Sequence, residues 1–206
     1  MNTYLSADRM FLLLCCLLFS HLALAVDKVE VKSKHHTQYD LYLTAQEAFD
    51  MKKAQADKVL FLDVRTRPEI QYAGFADSVD ANIPIFLYTN EWKMKKDGVH
   101  GSYRKRYNKQ FVAAVDSLLK QKNKDKSVPI IIMCQSGGRG PLAAKKLHQA
   151  GYEKVYFQVE GFEGIKAKEG PDKGKRVIAG WKHDGLPWSY KLPADKMYFN
   201  FAAAAE

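Results

Sequence analysis

Short unbroken apolar runs alternate along this chain with longer segments of helical periodicity. Residues 58–62, 128–133 and 154–159 each carry a near-continuous apolar run of the length expected for a strand buried on both faces. Val79 begins a further short strand candidate that Pro84 limits. Between these runs, Phe111, Ala114, Val115, Leu118 and Leu119 recur at i, i+3, i+4, i+7 and i+8, the stripe of an amphipathic helix. Thr44-Ala-Gln-Glu47 has capping-box spacing and predicts a helix through about Ala54. Arg67-Pro68-Glu69 predicts a shorter helix that Gly74 ends. Pro141 opens another helix, carrying Leu142, Ala143 and Leu147, which Gly151 closes. Strands alternating with helices predict an α/β layer fold with helices on both faces of a mainly parallel central sheet.

The ends of the chain read differently. Arg9 precedes an apolar stretch over residues 10–19 and then Ala23-Leu24-Ala25, the three-part layout of a secretory signal with cleavage after Ala25. The stretch is short for a membrane span, which needs about 20 apolar residues. The expectation is therefore an exported protein, periplasmic or secreted, with no stable membrane span after cleavage. Residues 26–38 form a polar lead-in, 39–190 a single domain, and 191–206 a C-terminal tail. Within the domain, residues 86–109 are rich in Tyr, Trp, Lys and Arg around a turn at Asp97-Gly98, and form an excursion of weak periodicity.

The formal net charge is +9, and loss of Asp8 with Arg9 leaves it unchanged. Such a balance favours small oxyanions or an acidic membrane surface as partners. No nucleic-acid partner is expected, because no recognisable module or basic aromatic face is present. His35-His36 lacks a second pair of ligands at metal-binding spacing, so no metal site is expected and the pair reads as part of a solvated lead-in.

Cys15 and Cys16 leave with the signal, making Cys134 the lone cysteine of the mature chain. A single thiol in an exported protein reads as an intermolecular bridge or a reactive group, against the plainer reading of a small buried apolar residue. The context favours reactivity. Cys134 ends a predicted central strand just before a helix N-terminus, where open α/β sheets place their ligands. Gln135, Ser136, Gly137, Gly138 and Arg139 contain no proline, so every N–H is retained and the glycines can turn those donors inward as an anion nest. The helix dipole and the Arg139 guanidinium both favour a thiolate.

These residues carry a resemblance. The sequence L-D-V-R-T over residues 62–66 with Glu69 following, A-N-I-P over 81–84, C-Q-S-G-G-R over 134–139, A-G-Y-E-K-V-Y over 150–156 and G-W-K-H-D-G-L-P-W over 180–188 together resemble the rhodanese, or sulfurtransferase, superfamily. The resemblance implies a rhodanese-like fold and a Cys134 nucleophile that takes sulfane sulfur from a small anion such as thiosulfate. A cysteine persulfide held by the amides of residues 135–139 then passes the sulfur onward, with no metal or organic cofactor. Asp63 and Arg65 fall on a family motif that reads as structural. Arg139 either binds the donor or braces the loop.

Two departures accompany the match. Gly74-Phe-Ala-Asp-Ser-Val-Asp80 replaces the family's G-H-I-x-G-A turn, and the basic excursion exceeds what a compact member needs. Two rival functions stand beside this one. One is a carrier or docking module that hands sulfur only to a protein acceptor, with the excursion as the place to meet it. The other is a phosphatase or arsenate reductase, whose pattern C-x5-R is one residue longer than the C-x4-R found here.

Overall fold

A computed structural model describes Asp27 and residues 31–202. The expected signal segment over residues 1–25 lies outside the described residues. Among those described, no helix is long and apolar enough to cross a membrane.

The core is a five-stranded parallel sheet in the order β1-β8-β7-β2-β4. Its strands are β1 (Tyr42–Leu43), β2 (Leu60–Asp63), β4 (Ala81–Asn82), β7 (Ile130–Met133) and β8 (Val155–Gln158). The two central strands, β2 and β7, are buried at every position. That explains their unbroken apolar runs, because a strand covered on both sides has no polar face to alternate with.

Alternate residues of these strands serve two core layers. Leu60, Leu62, Ile130 and Ile132 face the layer that holds α3 (Phe111–Gln121) and α4 (Gly140–Gln149). Phe61, Ile131 and Met133 face the layer that holds α1 (Ala45–Gln55), α2 (Arg67–Ala73) and Trp181. Helices therefore cover both faces, as expected for an α/β layer fold. The capping box of Thr44 and Glu47 is formed. All five apolar stripe residues of α3 are buried.

Outside the main sheet, β3 (Phe75–Ala76) pairs antiparallel with β9 (Trp188–Ser189). The excursion is a β-hairpin of β5 (Phe86–Met94) and β6 (Gly101–Tyr107), whose strands, among the described residues, pair with each other alone. Most of its positions are exposed, including Trp92 and Tyr103, which pack edge to face at 5.3 Å between ring centroids.

Both flanking segments differ from expectation. In the lead-in, Val31 and Thr37 are buried, and a single 3-10 turn at Ser33–His35 lies against the fold. The described part of the stretch is anchored by Val31 in the core and by the Thr37 backbone N–H, which donates to the Tyr42 hydroxyl at 2.9 Å, so it is not wholly solvated. In the expected tail, Met197, Tyr198 and Phe201 are buried, and the Tyr198 hydroxyl donates to Asn108 Oδ1 at 3.1 Å. Burial of these apolar side chains ties residues 191–202 to the domain.

Candidate active site

Because β2 and β7 run parallel with Asp63 opposite Met133, Asp63 and Cys134 reach the same C-terminal edge at the centre of the sheet. The chain turns there from Cys134 through Arg139 into α4, which begins at Gly140 with Pro141 in its first turn. Cys134 is fully buried and carries a free thiol. The Arg139 backbone N–H points at its Sγ at 3.5 Å. The N–H groups of Gln135, Ser136, Gly137 and Gly138 find no acceptor among the described residues. A run of N–H groups without protein acceptors, turned around a sulfur atom on a part-buried loop, is a cradle for an anion.

The segment after β8 holds this loop in shape. Phe162 N–H donates to the Cys134 carbonyl at 2.8 Å and Glu163 N–H to the Gln135 carbonyl at 3.0 Å. Gln135 Nε2 donates to Glu163 Oε1 at 2.9 Å. The two backbones approach so closely that only glycine fits at Gly161, where a Cβ would lie 2.3 Å from Ser136 N and φ is +78°. Gly161→Ala is expected to lose about tenfold in turnover and 1–3 kcal/mol in stability, from φ strain and displacement of the loop. Urea unfolding and steady-state rates check both numbers.

Arg139 does not reach across the thiol. Its guanidinium lies on Glu69, with Nη1 donating to Oε2 at 2.7 Å and Nη2 to Oε1. Glu69 also accepts from the backbone N–H and hydroxyl of Thr66 at 2.9 and 2.6 Å, closing the capping box of α2. Burial would raise the Glu69 carboxyl, but the Arg139 and Thr66 bonds outweigh it and hold the group down to about 2. For Arg139, burial pushes the other way and is likewise overcome by Glu69 and by the neighbouring Cys134 and Asp63 charges, so its pKa is raised.

Asp63 and Arg65 are both fully buried. Arg65 donates to Asp63 through Nε at 3.0 and 2.9 Å and through Nη2 at 2.6 Å, and through Nη2 to the Gly74 carbonyl at 2.8 Å. Its guanidinium lies 3.8 Å from the centroid of the Phe162 ring. Asn82 Nδ2 donates to the carbonyls of Asp63 and Arg65, both at 2.9 Å. The pair thus links the end of β2, the end of α2 and the segment that clasps the Cys134 loop, and neither charge is open to solvent.

All of the expected site residues therefore gather at one sheet edge. Glu69 and Gly161 belong with them and were not singled out as site residues. Thr66-x-x-Glu69 has the spacing of a capping box and would have marked the first. Nothing local marks the second. Among the described residues, no cluster of three or more His, Cys, Asp or Glu side chains is placed to hold a metal ion.

The model of the Rhodanese-like domain matches residues 44–168. The chain belongs to the rhodanese-like family. Among its relatives, an uncharacterised protein of Rickettsia conorii is 31% identical over 148 residues, covering 72% of this chain and 96% of the relative. The Arabidopsis thaliana protein Thiosulfate sulfurtransferase 18 is 31% identical over 116 residues, covering 54% of this chain and 73% of the relative. Among solved structures, that of Rv0390 from M. tuberculosis superposes with a TM-score of 0.53 at 25% identity, covering 74% of this chain and 99% of the other. A Pseudomonas aeruginosa thiosulfate sulfurtransferase shares the fold, with a TM-score of 0.50 at 16% identity over 85% of this chain and 23% of the other. This rhodanese-like chain is thus a member of a sulfurtransferase family with a mainly parallel α/β fold.

Proposed function

We propose that the protein moves sulfane sulfur from thiosulfate or a related anion to a thiophilic acceptor through a persulfide on Cys134. The observation that carries this reading is the buried thiol beneath a loop whose free N–H groups suit an anion. In the first half-reaction the Cys134 thiolate attacks the outer sulfur of thiosulfate. A Cys–S–S bond forms, the S–S bond of thiosulfate breaks, and sulfite leaves with the electron pair. In the second, a nucleophile attacks the outer sulfur of the protonated persulfide and the Cys134 thiolate is restored. The covalent intermediate divides one transfer into two easier steps.

In this reading the cysteine itself carries the sulfur, so no metal or organic cofactor is required. The phosphatase alternative fares worse, because its arginine must bind the oxyanion, whereas Arg139 is held by Glu69 through two hydrogen bonds.

Intact-mass measurement of the protein after incubation with thiosulfate tests the proposal. A gain of one sulfur atom, mapped to Cys134 by peptide digestion and released as thiocyanate by cyanide, is the expected result. A folded protein with a free thiol that gains no sulfur from thiosulfate would remove thiosulfate as donor.

A further inference from the structure

Val31 and Thr37 are buried in the fold, and between them the 3-10 turn Ser33–His35 sets His35 on the catalytic loop. A Cβ built on Gly137 would lie 3.5 Å from His35 Cε1. The His35 ring meets that of Phe157 edge to face, with centroids 6.4 Å apart. Phe157 in turn packs so tightly under Gly140, the first residue of α4, that a Cβ there would clash with its ring. The lead-in thus touches the middle of the loop and the ring beneath its end. The clasp from the segment after β8 holds the start of the loop, at the carbonyls of Cys134 and Gln135. Among the described residues, no backbone hydrogen bond reaches Ser136, Gly137 or Gly138, so the place of Gly137 rests on packing against the Val159 carbonyl and His35. The family match begins at residue 44, so His35 lies ahead of it.

The charged groups around the ring are nearly all cationic. Lys32 and Lys34 lie beside it on the lead-in, and Lys166, Lys168 and Arg176 line with it a cleft of about 430 Å³ next to Ser136 and Gly138. Arg176 has Glu163 at 4.0 Å, and among the described residues no carboxylate lines the cleft. His36 turns instead to the Val31 carbonyl. The loop adds Cys134, buried beneath it, and Arg139, turned to Glu69, while β8 presents the uncharged Phe157. Burial and the charges of Lys34 and Lys32 hold the imidazole below its ordinary value of 6.5. A ring that gains a proton there adds a further like charge to a partly desolvated seat, and both effects oppose it. Building on the sulfur-transfer reading above, we propose that the lead-in is a second clasp of the Cys134 loop, that His35 is its positioning residue, and that the clasp is closed by the neutral ring and loosened when the ring takes a proton from solvent. His35 makes and breaks no bond of the transfer, and acts through Gly137.

Order parameters of the Gly137 and Gly138 amides, read by nitrogen NMR relaxation, test the clasp without any turnover. In the parent they are expected to be rigid at about pH 8, with an order parameter of about 0.85, and mobile at about pH 5, below about 0.6. The sign follows from the lowered value of the ring. Docking of the neutral imidazole is fully favoured above its ordinary 6.5 and is lost as pH falls through the lowered value. His35→Ala, which removes the ring, is expected to be mobile at both, and His35→Phe, which keeps a ring that cannot titrate, rigid at both. The amides of β2 and β7 keep their parent values throughout, which separates a loosened loop from an unfolding protein.

Turnover of thiosulfate with cyanide supplies the second reading. At about pH 8, kcat is expected to fall about tenfold in His35→Ala and to stay within about twofold of the parent in His35→Phe. The ratio of parent to His35→Phe is expected to fall about fivefold between about pH 8 and about pH 5. Taking that ratio cancels the titration of Cys134 and of cyanide, which both proteins share. A Gly137 amide that stays rigid in His35→Ala, or a ratio that does not change with pH, overturns the proposal. Loop mobility that follows His35 in a protein that takes sulfur from no donor would overturn the sulfur-transfer reading, and with it the role of the clasp in turnover. Sulfur uptake with an unmoved loop would overturn the clasp alone.

Discussion

Cys134→Ser is expected to lower thiocyanate formation from thiosulfate and cyanide by ~10³-fold or more, while costing the fold only about 1–2 kcal/mol. The two numbers separate because the side chain has two surroundings. Towards the core, Cys134 is a small buried group inside the layer that packs α3 and α4. A serine oxygen occupies nearly the same volume and inherits the Arg139 N–H that now points at Sγ, so little is left unpaired. Towards the loop, the sulfur is the only atom there able to form and release a persulfide. A hydroxyl with its much higher pKa cannot replace it. Turnover within tenfold of the parent would place the nucleophile elsewhere, and a loss of stability as large as the loss of rate would make Cys134 a packing residue.

How much of this was legible in the sequence depends on where each part finds its partners. The central strands were readable because every residue of Leu60–Asp63 and Ile130–Met133 is buried, and burial on both faces writes itself as an apolar run. The hairpin of β5 and β6 was not, because beyond its base at Phe86, Leu87 and Tyr107 neither face is covered by a core and no alternation of apolar and polar residues is imposed on it. Only its turn at Asp97-Gly98 left a mark, where Gly98 takes a φ of +68°. Of the four two-residue strands, β4 lay within the run that Pro84 bounds, whereas β1, β3 and β9 had no such flank and are too short to carry a pattern of their own.

The site divides along the same line. Residues 134–139 are contiguous, so the thiol, the glycines and the arginine could be read together. The ambiguity over Arg139, donor-binding or loop-bracing, needed a partner 70 residues away. Likewise the clasp at Gly161 and the approach of His35 to Gly137 join segments that only the folded sheet edge brings together. The lead-in looked solvated because its charged residues do face solvent. Val31 and Thr37, which anchor it, are isolated in a polar stretch where no periodicity could declare them.

The strongest consequence of the Arg139 brace is an acid-dependent one. Glu69→Gln is expected to destabilise the protein by about 3–5 kcal/mol near neutral pH, because it leaves the mostly buried Arg139 guanidinium without its counter-charge. Turnover should fall by about 10²-fold, since a small displacement of a catalytic loop is costly to positioning. The pH course distinguishes the ion pair from mere loss of a helix cap. Glu69 is held down to about 2 in the folded protein against an ordinary value of 4.5. A carboxyl whose folded value is depressed contributes stability that is fully present above its unfolded value and is lost as pH falls through the folded one. Between those limits the contribution amounts to roughly 3 kcal/mol. The stability gap between parent and Glu69→Gln should therefore be widest above about pH 4.5 and shrink as pH falls through about 2, where the parent glutamate becomes neutral in its turn. Taking the difference between two otherwise identical chains cancels the titration of the other carboxylates. Urea unfolding of both proteins across this range reads the gap directly, and a gap that does not change with pH would assign the loss to the Thr66 cap, which a glutamine also weakens, and not to the Arg139 charge.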